Sequence, residues 1–336
     1  MLLAVALLAL TLPACKARRT RAIEAAASHD PRPRKGGVVV LSSPGTELHD
    51  LAQDSSFVYF IKGHREESRL LSVPKAGGKT RVLALIGDNV DVILPGDSGV
   101  IVGGWGGIHR VASSASSPER LYRQRVFGLV GEGANLYFST QDTIYRMPRA
   151  GGSPSPLATG QQNYTVSMGV DGGFVYWVNT QHKALMRVPV EGGKVEDLGG
   201  DVFPDSGHAI LFDADFAYYY QSIPRSFRRI PKKGGKPEVL TTARDHFQGW
   251  ALVGDALYYG RGWGDVGGGM ETVRGRQRQL PTTRQGKGGL VRVSLSGRTE
   301  SELAELTNGK VEGVAVDATH AYWLDAAAGE ICKIPK

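Results

Sequence analysis

The sequence predicts an all-β fold, a seven-bladed β-propeller whose N-terminal strand closes the last blade. Three observations carry this expectation. One phrase recurs seven times, the copies are spaced at blade length, and the chain ends with the phrase half complete while residues 35–41 supply the missing half.

The clearest copy starts at Gly169-Val170-Asp171, continues through Val175-Tyr176-Trp177 and Arg187-Val188-Pro189, and ends in Gly192-Gly193. Taking Tyr59, Ile101, Tyr137, Tyr176, Tyr218, Tyr258 and Tyr322 as markers, the spacings are 42, 36, 39, 42, 40 and 64 residues. A four-stranded blade needs roughly 40 residues, so the last interval is one blade plus an insertion, Arg261 to Gly289. The copy around Ile101 is degraded, yet it fills the gap between two regular ones.

Within each copy, an apolar stretch ending in Asp is the inner strand, and Asp with Gly or Ser after it makes the first turn. The β-branched and aromatic Val-Tyr-Trp type segment is the second strand, and the alternating Leu-x-Arg-Val segment is the third. Proline ends that third strand, where its missing N–H does least harm, and paired glycines turn the chain into the outermost strand. The recurring Arg110, Arg146, Arg187, Arg229 and Arg292 alternate with core positions and are expected to face outward and to pack or pair locally. The chain stops at Ile334-Pro335-Lys336, before its Gly-Gly and outer strand; Lys35-Gly36-Gly37-Val38-Val39-Val40-Leu41 provides them, so the ring should close there.

Composition narrows the function classes. With 2 Cys in 336 residues there is neither a disulfide scaffold nor a Cys-based zinc site. The net charge of +7 is uneven: residues 16–35 carry +5, residues 261–289 carry +4, and the rest carries −2. A nearly neutral body does not suit nucleic acid, and a monomeric binding domain is expected.

Residues 2–14 are apolar but too short to span a bilayer, and end in Leu12-Pro13-Ala14 before Cys15. This resembles the lipobox of bacterial lipoproteins. The resemblance implies a signal peptide over 1–14, a lipidated Cys15 holding the chain to a membrane, and, with Lys16 rather than Asp after it, delivery to the outer membrane or a periplasm-facing surface. Residues 15–35 then read as a flexible basic tether and 36–336 as the propeller. The Val175-Tyr176-Trp177 and Ala321-Tyr322-Trp323 segments resemble the YWTD-type repeats of low-density-lipoprotein-receptor propellers, and more closely the TolB-like propellers of bacterial lipoproteins. The Thr-Asp half of the YWTD signature is absent. A propeller resemblance implies a fold and not an activity.

In a propeller, the loops entering the inner strands share a rim with those between second and third strands. Counting back five or six residues from each first-turn position, with one residue of slippage at Gln248, places His49, Asp91, Phe127, Val166, His208, Gln248 and Glu312 at the seven mouths. His182 and His246 fall on the same rim, as do Trp105 and Trp263, which suit stacking on sugar rings. His49, Asp91, His208 and Glu312 are candidate ligands for a divalent metal, the one cofactor the sequence suggests. A solvated mouth would also be polar, so both readings stay open. Arg274, Arg276 and Arg278 give the insertion a basic face suited to an anionic partner. No phosphate loop, His-Glu-x-x-His or Gly-x-Ser-x-Gly motif occurs. The expected function is a lipid-anchored binding or assembly module for an envelope protein or polysaccharide; the alternative is a metal-dependent lyase or lactonase with its site at the channel mouth.

Overall fold

A computed structural model describes residues 28–29, 32–112, 117–161, 167–200, 209–222, 224–242, 246–262, 264–267, 270–273, 276–279, 282–285, 288–306 and 309–336. At 246–248 and between 264 and 285 it is the backbone that is described. The chain forms seven antiparallel sheets arranged as a propeller, with two short 3-10 turns as its only helical elements among the described residues.

Blades 1 to 7 begin with the inner strands Leu48–Gln53, Val90–Gly96, Gly128–Glu132, Met168–Asp171, Leu211–Phe212, His246–Val253 and Val311–Val316. Proline is the last residue of the third strand at Pro74, Pro148, Pro189, Pro231 and Pro335. The turn that follows needs positive φ, which Gly192 (88°) and Gly193 (136°) supply in blade 4. The first turns are held by their aspartates: Asp213 Oδ1 accepts the Asp215 and Phe216 N–H groups, and Tyr218 donates its hydroxyl to Oδ2.

The ring closes as the sequence predicts. Val39–Ser42 pairs antiparallel with Glu330–Pro335, so blade 7 takes its outer strand from the N-terminal end of the described fold. Arg32–Pro33 adds a short fifth strand beyond it, and Ser28–His29 pairs with Gly78–Lys79 of blade 1. Val40 and Leu41 are buried at this seam, and each contributes roughly 1.5–3 kcal/mol. The insertion is an antiparallel ribbon: Gly264–Gly267 pairs with Thr282–Gln285 and Met270–Val273 with Arg276–Gln279. Its flanking blade strands run to Gly262 and resume at Gly288, so it is two residues shorter at its start and two at its end than the spacing suggests.

The core is distributed. Seven hydrophobic clusters occur, one between each pair of neighbouring blades, for example Trp177 of blade 4 with Tyr137 and Ile144 of blade 3. The cation of the third strand ties these layers together. Arg187 gives its Nε to Glu196 of its own blade (2.8 Å) and an Nη to the Lys232 carbonyl of the next (2.8 Å). Arg110 reaches the Ala150 carbonyl (3.2 Å), Arg146 that of Val190 (3.1 Å) and Lys333 that of Lys75 (2.7 Å). The expected local pairing is present for Arg110, Arg187 and Arg229, and a latch to the following blade occurs at four junctions.

Arg187→Met keeps the aliphatic stem and removes both hydrogen bonds. It should destabilise the domain by about 1–2 kcal/mol, read as a lower urea midpoint at unchanged slope.

Candidate functional site

Strand register shows why the mouth residues are equivalent. The marker position of each second strand pairs with Ala52, Leu94, Val130, Gly169, Leu211, Ala251 and Ala315. Three residues before each of these lie His49, Asp91, Phe127, Val166, His208, Gln248 and Glu312. All seven therefore stand at one sequence offset in the repeat; Val166 and His208 are outside the described residues, and for Gln248 the backbone alone is described.

Four of these positions lie in or next to a β-bulge. Pairing skips Asp50 in blade 1, Asp91 in blade 2, Gln248-Gly249 in blade 6 and Gly313 in blade 7. The inner strands of blades 3 and 4 pair without a shift. A bulge leaves a residue out of the ladder and re-aims its side chain. The four form one continuous arc, blades 6, 7, 1 and 2. Asp50 is held at φ 50°, a left-handed conformation that Asp tolerates better than most residues. A Cβ on Gly249 would lie 2.6 Å from Gly313 Cα, and one on Gly313 2.7 Å from Leu51 Cβ, so glycine lets the inner strands converge here.

His49 is fixed at both ring nitrogens, one against Asp50 Oδ2 (2.9 Å) and one against the Gly63 carbonyl (2.9 Å). The ring of His64, from the loop after the second strand, stacks on it at 4.6 Å. Burial opposes protonation of His49, but the Asp50 hydrogen bond and charge, the Gly63 carbonyl and the Glu312 charge outweigh it, and its pKa rises. Asp91 goes up to about 6: desolvation and the Asp50 carboxylate raise it, while Arg125 and His49 oppose. Lys310 neutralises Glu312 in an ion pair. Next along the rim, Trp105 is 51% exposed and the Arg125 guanidinium lies 3.9 Å from its ring centre and 4.3 Å from that of Phe127.

His49, Asp91 and Glu312 thus share an electrostatic neighbourhood with Asp50, Asp88 and Arg125. Among the described residues no three His, Cys, Asp or Glu side chains converge as metal ligands; His208, the fourth metal candidate, lies outside them. His182 is exposed in the corresponding loop of blade 4, where its N–H bonds Asn179. The backbone of His246 opens the inner strand of blade 6, and Arg276 and Arg278 lie on the inserted ribbon. Trp263, Arg274 and Cys15 are outside the described residues. Cys332 is buried in blade 7 and burial pushes its thiol pKa up, which makes it inert. Sequence reasoning missed Asp50, His64 and Arg125; the adjacent His49-Asp50 pair was the available signal for Asp50 alone.

A scan of the sequence against protein-family models gives no match, and neither does a search of the curated proteins. Solved structures do match. Virginiamycin B lyase from Staphylococcus aureus superposes with a TM-score of 0.63 at 15% identity, over 89% of this chain and 98% of that one. U3-55K gives 0.65 at 12% identity, over 91% and 100%, and BamB from Moraxella catarrhalis 0.52 at 11%, over 91% and 96%. At such identities the likeness is one of fold: the chain is a β-propeller.

Asp91 gives a direct check. Its carboxyl should titrate with a midpoint near 6 by side-chain NMR, and Asp50→Asn should move that midpoint down toward the ordinary carboxylate range. Because folding raises this pKa, the contribution of Asp91 to stability falls as pH climbs from the ordinary range through about 6 and is constant above it.

Proposed function

We propose that this chain is a binding or assembly module of the bacterial cell envelope, anchored through lipid on Cys15, that engages an envelope protein or polysaccharide with the rim of its channel. The observation that carries the reading is the run of four adjacent bulged inner strands. A bulge costs ladder hydrogen bonds, and four neighbours share the cost at one arc while the opposite inner strands stay regular. The arc presents hydrogen-bond acceptors and imidazoles beside the Trp105–Arg125 pair, a flat platform that suits a sugar face or a partner's side chain. Envelope propellers such as BamB share the architecture, which fits an assembly role without naming a partner.

Capture from native envelope, followed by titration of the recovered protein or glycan, tests this. Trp105→Ala and Asp91→Ala should each weaken binding about 10-fold or more, with unfolding midpoints close to wild type. Binding unaffected by either change removes the rim from the function. A stoichiometric ion in the purified domain, lost with His49→Ala or His208→Ala, would turn the reading toward the metal-dependent enzyme.

A further inference from the structure

The other face of the ring holds a site that the repeat itself explains. Register aligns the third-strand cations Arg110, Arg146, Arg187, Arg229, Arg292 and Lys333 with Ser72 in blade 1. Blade 1 alone has no cation there. The next strand is altered as well: where Glu119, Glu196 and Glu238 face those arginines, Arg81 faces Ser72.

The junction of blades 1 and 2 therefore lacks the cation of the repeat, and a cavity of about 590 Å³ lies there, within the range of small-ligand pockets. Part of what a guanidinium touches elsewhere in the ring is still present, although Arg81 takes the place of the glutamate. Arg187 lies 4.2 Å from the Phe174 ring centre and Arg229 4.1 Å from that of Phe216; Phe57 is their counterpart and lines the cavity. Tyr59 stands where Tyr176 and Tyr218 meet those arginines. Gln53 Oε1 is buried in the wall with no hydrogen-bond partner, an acceptor in need of a donor. Asp97 lines the same wall without an ion pair, and Asp54 holds its own turn and the Tyr59 hydroxyl. Leu83, Pro95 and Val100 supply an apolar path for an alkyl stem. Arg81 at the edge is exposed, and against Asp54 and Asp97 the lining carries one net negative charge.

We propose that the cleft between blades 1 and 2 binds a guanidinium group on an alkyl chain, the arginine side chain of an external ligand, in the place where the other blades carry their own cation. The guanidinium stacks on Phe57 and donates to Asp97. The site lies on the face opposite the channel mouth and does not depend on the rim reading.

Calorimetric titration of the whole domain with N-acetyl-arginine amide, free L-arginine and N-acetyl-lysine amide tests the assignment. Both arginine probes should bind at a 1:1 ratio and the lysine probe about 10-fold more weakly or worse. Asp97→Asn should weaken the arginine probes about 10-fold. Ser72→Arg should put the repeat's own cation into the cleft and abolish binding. Free arginine binding tighter than the capped form, with the difference removed by Arg81→Gln, identifies a free amino acid or chain terminus as the source. Capped arginine binding as well or better identifies an internal side chain of a polypeptide. No binding of either arginine probe, equal binding of lysine, or binding unchanged by both Ser72→Arg and Asp97→Asn overturns the proposal.

Discussion

The constraint on which this ring depends is that each sheet is too thin to hold a core of its own, so every blade must be fixed to its neighbours. Seven clusters between sheets bury the apolar area, but apolar contact has no direction and does not set how far one blade turns against the next. Directional bonds set it. A third-strand cation donates across the junction to a main-chain carbonyl, and where Lys75 and Lys232 follow the proline a second bond runs back to an aspartate of the preceding blade. The guanidinium stem also covers a phenylalanine face, so one side chain contributes packing and orientation together.

Much of this was legible in the sequence because repetition multiplies a weak signal. One Val-Tyr-Trp segment is ambiguous between a strand and a buried helix turn, whereas seven at blade spacing, four of them followed by Pro and Gly-Gly, are not. Ring closure was legible for the same reason, since the half-phrase at Ile334-Pro335 and the half-phrase at Gly36-Gly37 complement each other. The cross-blade bonds were not legible. That Arg187 meets the Lys232 carbonyl depends on the twist between two sheets, and no local pattern of residues encodes that angle.

The channel mouth shows the same division. Counting along the repeat found His49, Asp91 and Glu312, because a periodic fold makes equivalent positions countable. It could not find the bulges, since Asp50 and Asp91 are ordinary residues in an inner strand until pairing shows them to be extra. Nor could it find His64 or Arg125, which reach the rim from loops whose course the repeat does not fix. The electrostatics follow from the bulges. Asp50 is turned toward both His49 and Asp91, so one carboxylate raises the pKa of its imidazole neighbour and of its carboxyl neighbour at once.

The departure of blade 1 from the repeat gains its meaning from closure. In an open stack, losing the latch between two units would leave one end free to fray. In a closed ring the same two blades are also held through the other six junctions, including the strand exchange at blade 7, and the cluster of Tyr59, Ile61, Val90 and Val102 still packs between them. Ser72 can therefore stand where every other blade has Arg or Lys without opening the structure, and the Phe57 ring that a cation would have covered lines a cleft. A repeat protein can create a pocket by this subtraction alone: the fold supplies the walls, and the missing side chain defines the shape and charge of what fits.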